Sequence, residues 1–319
     1  MFRLSRTAIA VTCGQGPVRA YSHHVVTKSV TLPDLVEKYR RNEKVVAITA
    51  YDYITGTIAN KAAVDFVLVG DSLAMVALGL PSTSTLTMDE MLHHCRAVSR
   101  AVDGPLIVGD LPYGSYEPSD EKAVESSLRM IREGGRVQAI KLEGGARMYS
   151  RVQSIVNNAE IPVLGHIGLT PQKMGHVGGF KTQGKSVEAV EKLLDDALAL
   201  QDAGCFGLVI EAVPAAVAKF ITEKLSIPTI GIGAGKHTSG QILVMPDMLG
   251  FYDKFTPKFV KKYSNCLDVC TDAVKTYAEE VVSEQFPSAE HSFNLSEKNM
   301  KAFEAYVEEV NSRAIEQDD

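Results

Sequence analysis

The chain has 319 residues, 45% of them hydrophobic and 23% charged, with a formal net charge of −6. This is ordinary globular composition, long enough for one large barrel with extensions or two small domains. The acidic balance and the lack of a basic tract argue against a nucleic-acid partner, and no uninterrupted apolar segment reaches the roughly 18 residues of a membrane span.

The first segment, MFRLSRTAIAVTCGQGPVRAYSHH, carries Arg3, Arg6 and Arg19 and precedes the first acid of the chain, Asp34. Arginine, serine and threonine among apolar residues without acids predict a mitochondrial transit peptide over about residues 1–25, matrix localisation and removal before about residue 30. The alternative is a tail with no targeting role. TLPDLVEKYRRNE then reads as a short amphipathic helix able to close the bottom of a barrel.

From Val45 onward, short β-branched runs alternate with helical patterns. VVAITAYD is the first strand, and FVLVGDS leads to Asp71, PLIVGDLP to Asp110, VQAIKLEGG to Lys141 and Glu143, IPVLGHIG to His166, and FGLVIEAVP to Glu211. IPTIGIGAG ends in glycines instead, and GQILV is the eighth run. Runs of this kind are strands buried on both faces. Alternation with helices makes the sheet parallel, here a closed (β/α)8 TIM barrel over about residues 30–293. Thr87 with Glu90 forms a capping box ahead of a helix, and GLTPQKMGHVGGFKTQGKS is a glycine-rich loop long enough for a lid or binding role. PKFVKKYSNCLDVCTDAVKTYAEEVVSEQ is the last long helix. Residues 294–319 add a helical extension with Met300, Phe303, Tyr306, Val307 and Val310 on one stripe, which predicts docking on the barrel or on a neighbouring subunit. The five cysteines, Cys13, Cys95, Cys205, Cys266 and Cys270, form no CxxC pair and read as reduced thiols.

In such a barrel the active site lies at the carboxyl ends of the strands, where this chain places its acids, a lysine and a histidine. Asp71 and Asp110 at neighbouring strand ends suit a hard cation, Mg2+ first, or else cap the helices that follow. Lys141 and Glu143 are two apart and share a face, so the lysine can bind a substrate carboxylate and the glutamate a metal; the alternative is a structural ion pair. Glu211 closes an otherwise apolar strand, and desolvation there suits a general base. His166 bonds substrate or orients a ligand, or else is a neutral structural histidine. The GIGAG turn offers backbone amides and close approach but lacks the spacing of a dinucleotide fingerprint.

TAYDY, LVGDSLAMV, DLPYGSY, IKLEGG, GHIGLTPQ, GGFKTQG, LVIEAVP, IPTIGIGAG and GQILV, in this order, resemble the ketopantoate hydroxymethyltransferase family over most of the chain. The resemblance implies a barrel of the phosphoenolpyruvate/pyruvate-like type. It implies transfer of a hydroxymethyl group from 5,10-methylenetetrahydrofolate to 3-methyl-2-oxobutanoate, the first step committed to pantothenate. It also implies dependence on Mg2+ and a homo-oligomer, in the family a decamer. Motif by motif, Asp71 and Asp110 resemble the metal-binding aspartates and Glu143 the third acidic metal-site residue. Asp71, Ser72, Asp110 and Lys141 resemble the keto-acid site, with His166 a further substrate contact, and Glu211 resembles the proton acceptor. Ala74, Ser239 and Pro246 depart from the family's usual Gly, Asp and His, which bears on loop detail and not on the chemistry. Two rivals are another Mg-dependent 2-oxo-acid lyase or mutase on the same barrel, and a barrel that has lost catalysis and only binds.

Overall fold

The computed structural model describes residues 29–173 and 181–315; the leader and the middle of the glycine-rich loop lie outside the described residues. Eight parallel strands close on themselves in sequence order. They are β1 Val45–Thr49, β2 Phe66–Val69, β3 Leu106–Asp110, β4 Ala139–Lys141, β5 Val163–Gly168, β6 Gly207–Glu211, β7 Thr229–Ile232 and β8 Gly240–Leu243. Adjacent strands step through registers such as Ala47 opposite Phe66 and Asp110 opposite Lys141, and β8 returns to β1 with Ile242 opposite Ala47.

The period of two along each strand sorts the side chains into two cores. Phe66 and Leu68 point inward with Val45, Val108, Val209 and Ile230 and fill the barrel. Val67 and Val69 point outward with Ile107, Ile140, Leu208 and Ile210, under the helices. Leu35 of helix α1 (Leu32–Arg40) joins the inner core, so this helix stops the amino-terminal end of the barrel as its amphipathic pattern predicts.

The outer layer follows as α2 (Tyr53–Lys61), α3 (Leu73–Val76), α4 (Met88–Ser99), α5 (Asp120–Glu133), α6 (Tyr149–Ala159), α7 (Val187–Asp202), α8 (Ala215–Lys224) and α9 (Met245–Leu249). The Thr87–Glu90 capping box forms, and Ser119 and Ser186 cap α5 and α7 through their hydroxyls. The first strand is shorter than the sequence suggests. It ends at Thr49, and the Asp52 carboxylate accepts from the Thr55 amide at 2.7 Å to start α2. Gly109 brings α5 onto β3: a Cβ there would stand 2.5 Å from Met130 Sδ, so any side chain would displace the strand end that carries Asp110. Ser239 exchanges hydrogen bonds with Thr229 at the start of β7, at the end of the barrel opposite the strand-end acids.

The eighth strand breaks the pattern. The helix that follows it, α10 (Cys266–Val282), has no buried residue, although Cys270, Val274, Tyr277 and Val281 recur at spacings of four, three and four. Outside β1 and β8, where this helix would complete the outer layer, an apolar groove with about 750 Å³ of empty space is lined by Val46, Ile48, Ile58, Leu243 and Met248. Val46 is 51% exposed in a strand whose neighbours are covered. The last helix, α11 (Glu297–Ile315), also stands clear of its own barrel, and Met300, Phe303, Tyr306, Val307 and Val310 stay exposed. Among the described residues no barrel surface of the same chain covers the stripe, which corrects the first of the two docking alternatives.

Candidate active site

Five adjacent strand ends deliver their polar groups to a single cavity with about 930 Å³ of empty space at the carboxyl end of the barrel. Asp71 and Ser72 follow β2, Asp110 closes β3, Lys141 closes β4 with Glu143 just beyond, His166 lies in β5 and Glu211 closes β6. All seven line the cavity, and every one except half-buried Ser72 is buried.

The Lys141 ammonium donates to both Asp110 carboxylate oxygens at 2.8 Å and lies 3.7 Å from Glu143 Oε1. The Asp71 amide donates to Asp110 Oδ2 at 3.2 Å. His166 stands between two acids, with Nδ1 3.4 Å from Glu143 Oε1 and Nε2 3.2 Å from Glu211 Oε2. Both are ion-pair distances, and neither contact has hydrogen-bond alignment. Ser72 Oγ pairs with the Tyr51 hydroxyl at 2.7 Å.

The crowding fixes the protonation pattern. Burial, then the Asp110 and Glu143 charges, push the Asp71 carboxyl well above the usual carboxylate range. Burial also raises Asp110, against the pull of Lys141. Burial opposes ionisation of Glu143, but the close contact with His166 and the charge of Lys141 outweigh it and lower this acid. Burial works against the Lys141 ammonium, yet Asp110, Glu143 and Asp71 hold it protonated beyond the ordinary lysine range. Burial and Lys141 likewise oppose a charge on His166, and its contacts to Glu143 and Glu211 prevail, raising the imidazole to about 9.

Fully ionised, the four strand-end carboxylates would outnumber the two cations, Lys141 and His166, by two. Asp71 Oδ2 and Glu143 Oε1 are buried without a hydrogen-bond partner. Orphaned carboxylate oxygens and this excess of acids fit a hard divalent cation. Among the described residues no three acid, histidine or cysteine side chains already converge as a ligand set, and Lys141 donates to both carboxylate oxygens of Asp110.

Sequence reasoning passed over two supporting residues. The Tyr116 hydroxyl accepts from the Glu143 amide at 3.1 Å and donates to Gln172 Oε1 at 2.7 Å. The Gln172 amide donates to Glu143 Oε2 at 3.1 Å, and its side-chain Nε2 to the Leu111 carbonyl at 2.9 Å. Both residues lie inside quoted motifs, DLPYGSY and GHIGLTPQ, and that was the available signal. Asp247 also lines the cavity, from a segment with no strand-end signature.

Solved structures share the architecture at low identity. A phosphoenolpyruvate phosphomutase from Streptomyces platensis subsp. rosaceus superposes with a TM-score of 0.53 at 15% identity, covering 89% of this chain and 98% of that one. A 2,3-dimethylmalate lyase of the PEP mutase/isocitrate lyase superfamily also gives 0.53, at 14% identity, covering 89% of this chain and 97% of that one. Sequence relatives are far nearer. A protein from Oleidesulfovibrio alaskensis named 3-methyl-2-oxobutanoate hydroxymethyltransferase is 49% identical over 90% of this chain and 98% of its own. One of the same name from the fungus Emericella nidulans is 48% identical over 89% of this chain and 81% of its own. One from Ignicoccus hospitalis is 51% identical over 82% of this chain and 97% of its own. The sequence profile of ketopantoate hydroxymethyltransferase matches residues 29–289, which spans every barrel strand and each strand-end group described above, and the chain belongs to that family.

Proposed function

We propose that this cavity performs the family's reaction with Glu211 as base, Lys141 and Ser72 as carboxylate binders, and Asp71, Asp110 and Glu143 as the metal site. The chain transfers a hydroxymethyl group from 5,10-methylenetetrahydrofolate to 3-methyl-2-oxobutanoate, giving 2-dehydropantoate and tetrahydrofolate. The observation that carries the residue roles is the convergence of these groups in one buried cavity at the ends of five adjacent strands.

Glu211, held 3.2 Å from protonated His166, takes the proton from the substrate's C3. C3 then forms a bond to the folate methylene carbon. The carbon–nitrogen bonds break with their electrons going to the folate nitrogens, which take up protons, and one water supplies the hydroxyl. The Lys141 ammonium, protonated and almost wholly buried, holds the substrate carboxylate as a point charge. Ser72 Oγ, fixed by Tyr51, donates beside it. Asp71, Asp110 and Glu143 would hold Mg2+, and the ion would supply positive charge that makes C3–H of the 2-oxo acid more acidic.

Proton exchange at C3 tests the assignment. Wild-type protein with 3-methyl-2-oxobutanoate and Mg2+ in deuterated water should wash out the C3 proton. Glu211→Gln should bind the substrate and leave the proton in place. Exchange at the wild-type rate in that variant would move the base elsewhere.

The chain acts, on this reading, as a homo-oligomer in the mitochondrial matrix. The acid-free, arginine-bearing leader supports the location. The unfilled groove outside β1 and β8, together with an unpacked α10 bearing an apolar stripe, supports the assembly: α10 of a second copy fills the groove. Val274→Asp on α10, 66% exposed in the single chain, should yield monomers by sedimentation. An unchanged oligomer would leave the groove without this occupant.

A further inference from the structure

The catalytic groups occupy only part of the cavity. They enter from β2 to β6, while the lining of the cavity continues past them round the barrel. The rest of the wall comes from β7, β8 and the chain beyond. It is apolar and aromatic: Met75 faces in from α3, and Tyr252, Phe255, Pro257 and Phe259 from the segment after α9. Among the described residues this wall carries one carboxylate, Asp247.

Asp247 is 9% exposed, and its Oδ1 is buried with no hydrogen-bond partner. A buried carboxylate without a donor is expensive to keep. Burial raises its carboxyl to about 6, and the Lys262 charge only partly offsets this. The aromatic wall is held in shape by the glycine turn that ends β7. Gly233 has φ +64, and a Cβ there would come within 2.5 Å of Phe259 Cδ1, so the Phe259 ring lies directly on the backbone. This gives the close approach offered by the GIGAG turn a packing role.

An orphaned carboxylate beside aromatic rings selects a flat heteroaromatic ligand that presents two adjacent N–H donors. We infer that Asp247 and the aromatic segment Tyr252–Phe259 form the pterin subsite, with the Asp247 carboxylate accepting from the ring N3–H and the 2-amino group of the reduced folate. The inference rests on the proposed reaction for the identity of the co-substrate. The wall is continuous with the Glu211 side of the cavity, so a pterin lying on it would bring its methylene carbon toward C3 of the bound 2-oxo acid.

Tetrahydrofolate binding to the full chain, measured by calorimetry, tests this. Asp247→Asn replaces an acceptor by a donor, and Asp247→Ala removes it; each should weaken tetrahydrofolate roughly 10- to 100-fold, the loss of a charge-assisted pair. C3 proton exchange on 3-methyl-2-oxobutanoate needs no folate and should stay within about two-fold of wild type, as should the KM for that acid. A tetrahydrofolate analogue with methyl in place of the 2-amino group should bind the wild type as weakly as tetrahydrofolate binds the asparagine variant. Wild-type affinity for tetrahydrofolate in both variants would overturn the assignment, and so would equal loss of C3 exchange, which would move Asp247 to the keto-acid site. Should both variants fail to fold, the analogue still decides on unmodified protein: binding as tight as tetrahydrofolate sinks the inference. Failure of the unmodified protein to exchange the C3 proton would instead count against the proposed reaction.

Discussion

Replacing Tyr116 by phenylalanine isolates the aim of one acid. The ring keeps its place in the core, where Tyr116 is fully buried, so no cavity opens. What disappears is one hydroxyl with two partners, the Glu143 amide and Gln172 Oε1. Each is buried and loses its bond, at about 1–3 kcal/mol per group, so the variant should be about 3 kcal/mol less stable. At roughly 2–4 °C per kcal/mol for a large domain, Tm should fall by roughly 6–12 °C. Glu143 keeps its bond from the Gln172 amide but loses the anchor at its own backbone. A supporting bond of this kind is worth roughly 10- to 100-fold in metal affinity. Differential scanning fluorimetry without metal reads the first effect, and titration of the folded variant with Mg2+ or Mn2+ reads the second. A Tm within a degree of wild type with unchanged metal affinity would refute both the network and the role given to Glu143.

Other outcomes follow from the same site and from the chain ends. EDTA should abolish turnover and added Mg2+ restore it; full activity in metal-free buffer would remove the metal from the mechanism. Asp110→Ala should lose most activity and about 3–5 kcal/mol of stability, because it strands the buried Lys141 ammonium; a thermal denaturation curve matching wild type would contradict the pairing. Deleting residues 294–319 should reduce oligomer size or Tm more than activity per folded site, since the α11 stripe finds no cover on its own barrel; unchanged assembly and melting would make the extension a solvated appendage. Residues 1–30 fused to a reporter should direct it to mitochondria, and a cytosolic reporter would count against the leader.

The barrel was readable because parallel strands buried on both faces leave long apolar runs, and because most of the runs here stop at an ionisable residue. The two-residue spacing of Lys141 and Glu143 correctly placed both on one side, even though β4 ends at Lys141. The partner of Lys141 was not readable. Asp110 lies 31 positions away and meets it only through the register of β3 against β4. Tyr116, Gln172 and Asp247 were missed for a related reason: their significance lies in what they touch across the fold or fail to touch, not in local pattern. Burial without a partner at Asp247 Oδ1 is invisible in a string of letters. The helix after β8 was readable as a helix, but amphipathicity does not say whose surface the apolar stripe meets.

That stand-off helix would tie quaternary structure to ligand affinity. The segment between α9 and α10 carries Tyr252, Phe255, Pro257 and Phe259, and it is pinned at both ends, by the Tyr263 amide on the Met248 carbonyl at 2.8 Å and the Leu267 amide on the Gly250 carbonyl at 3.2 Å. If α10 seats on another copy, it acts on the same strip of chain that forms the aromatic wall. By linkage the two equilibria would then be coupled: whatever factor assembly applies to affinity on that side of the cavity, a bound ligand returns to the assembly of dilute protomers. Keto-acid binding, built on β2 to β4, would be indifferent to dilution.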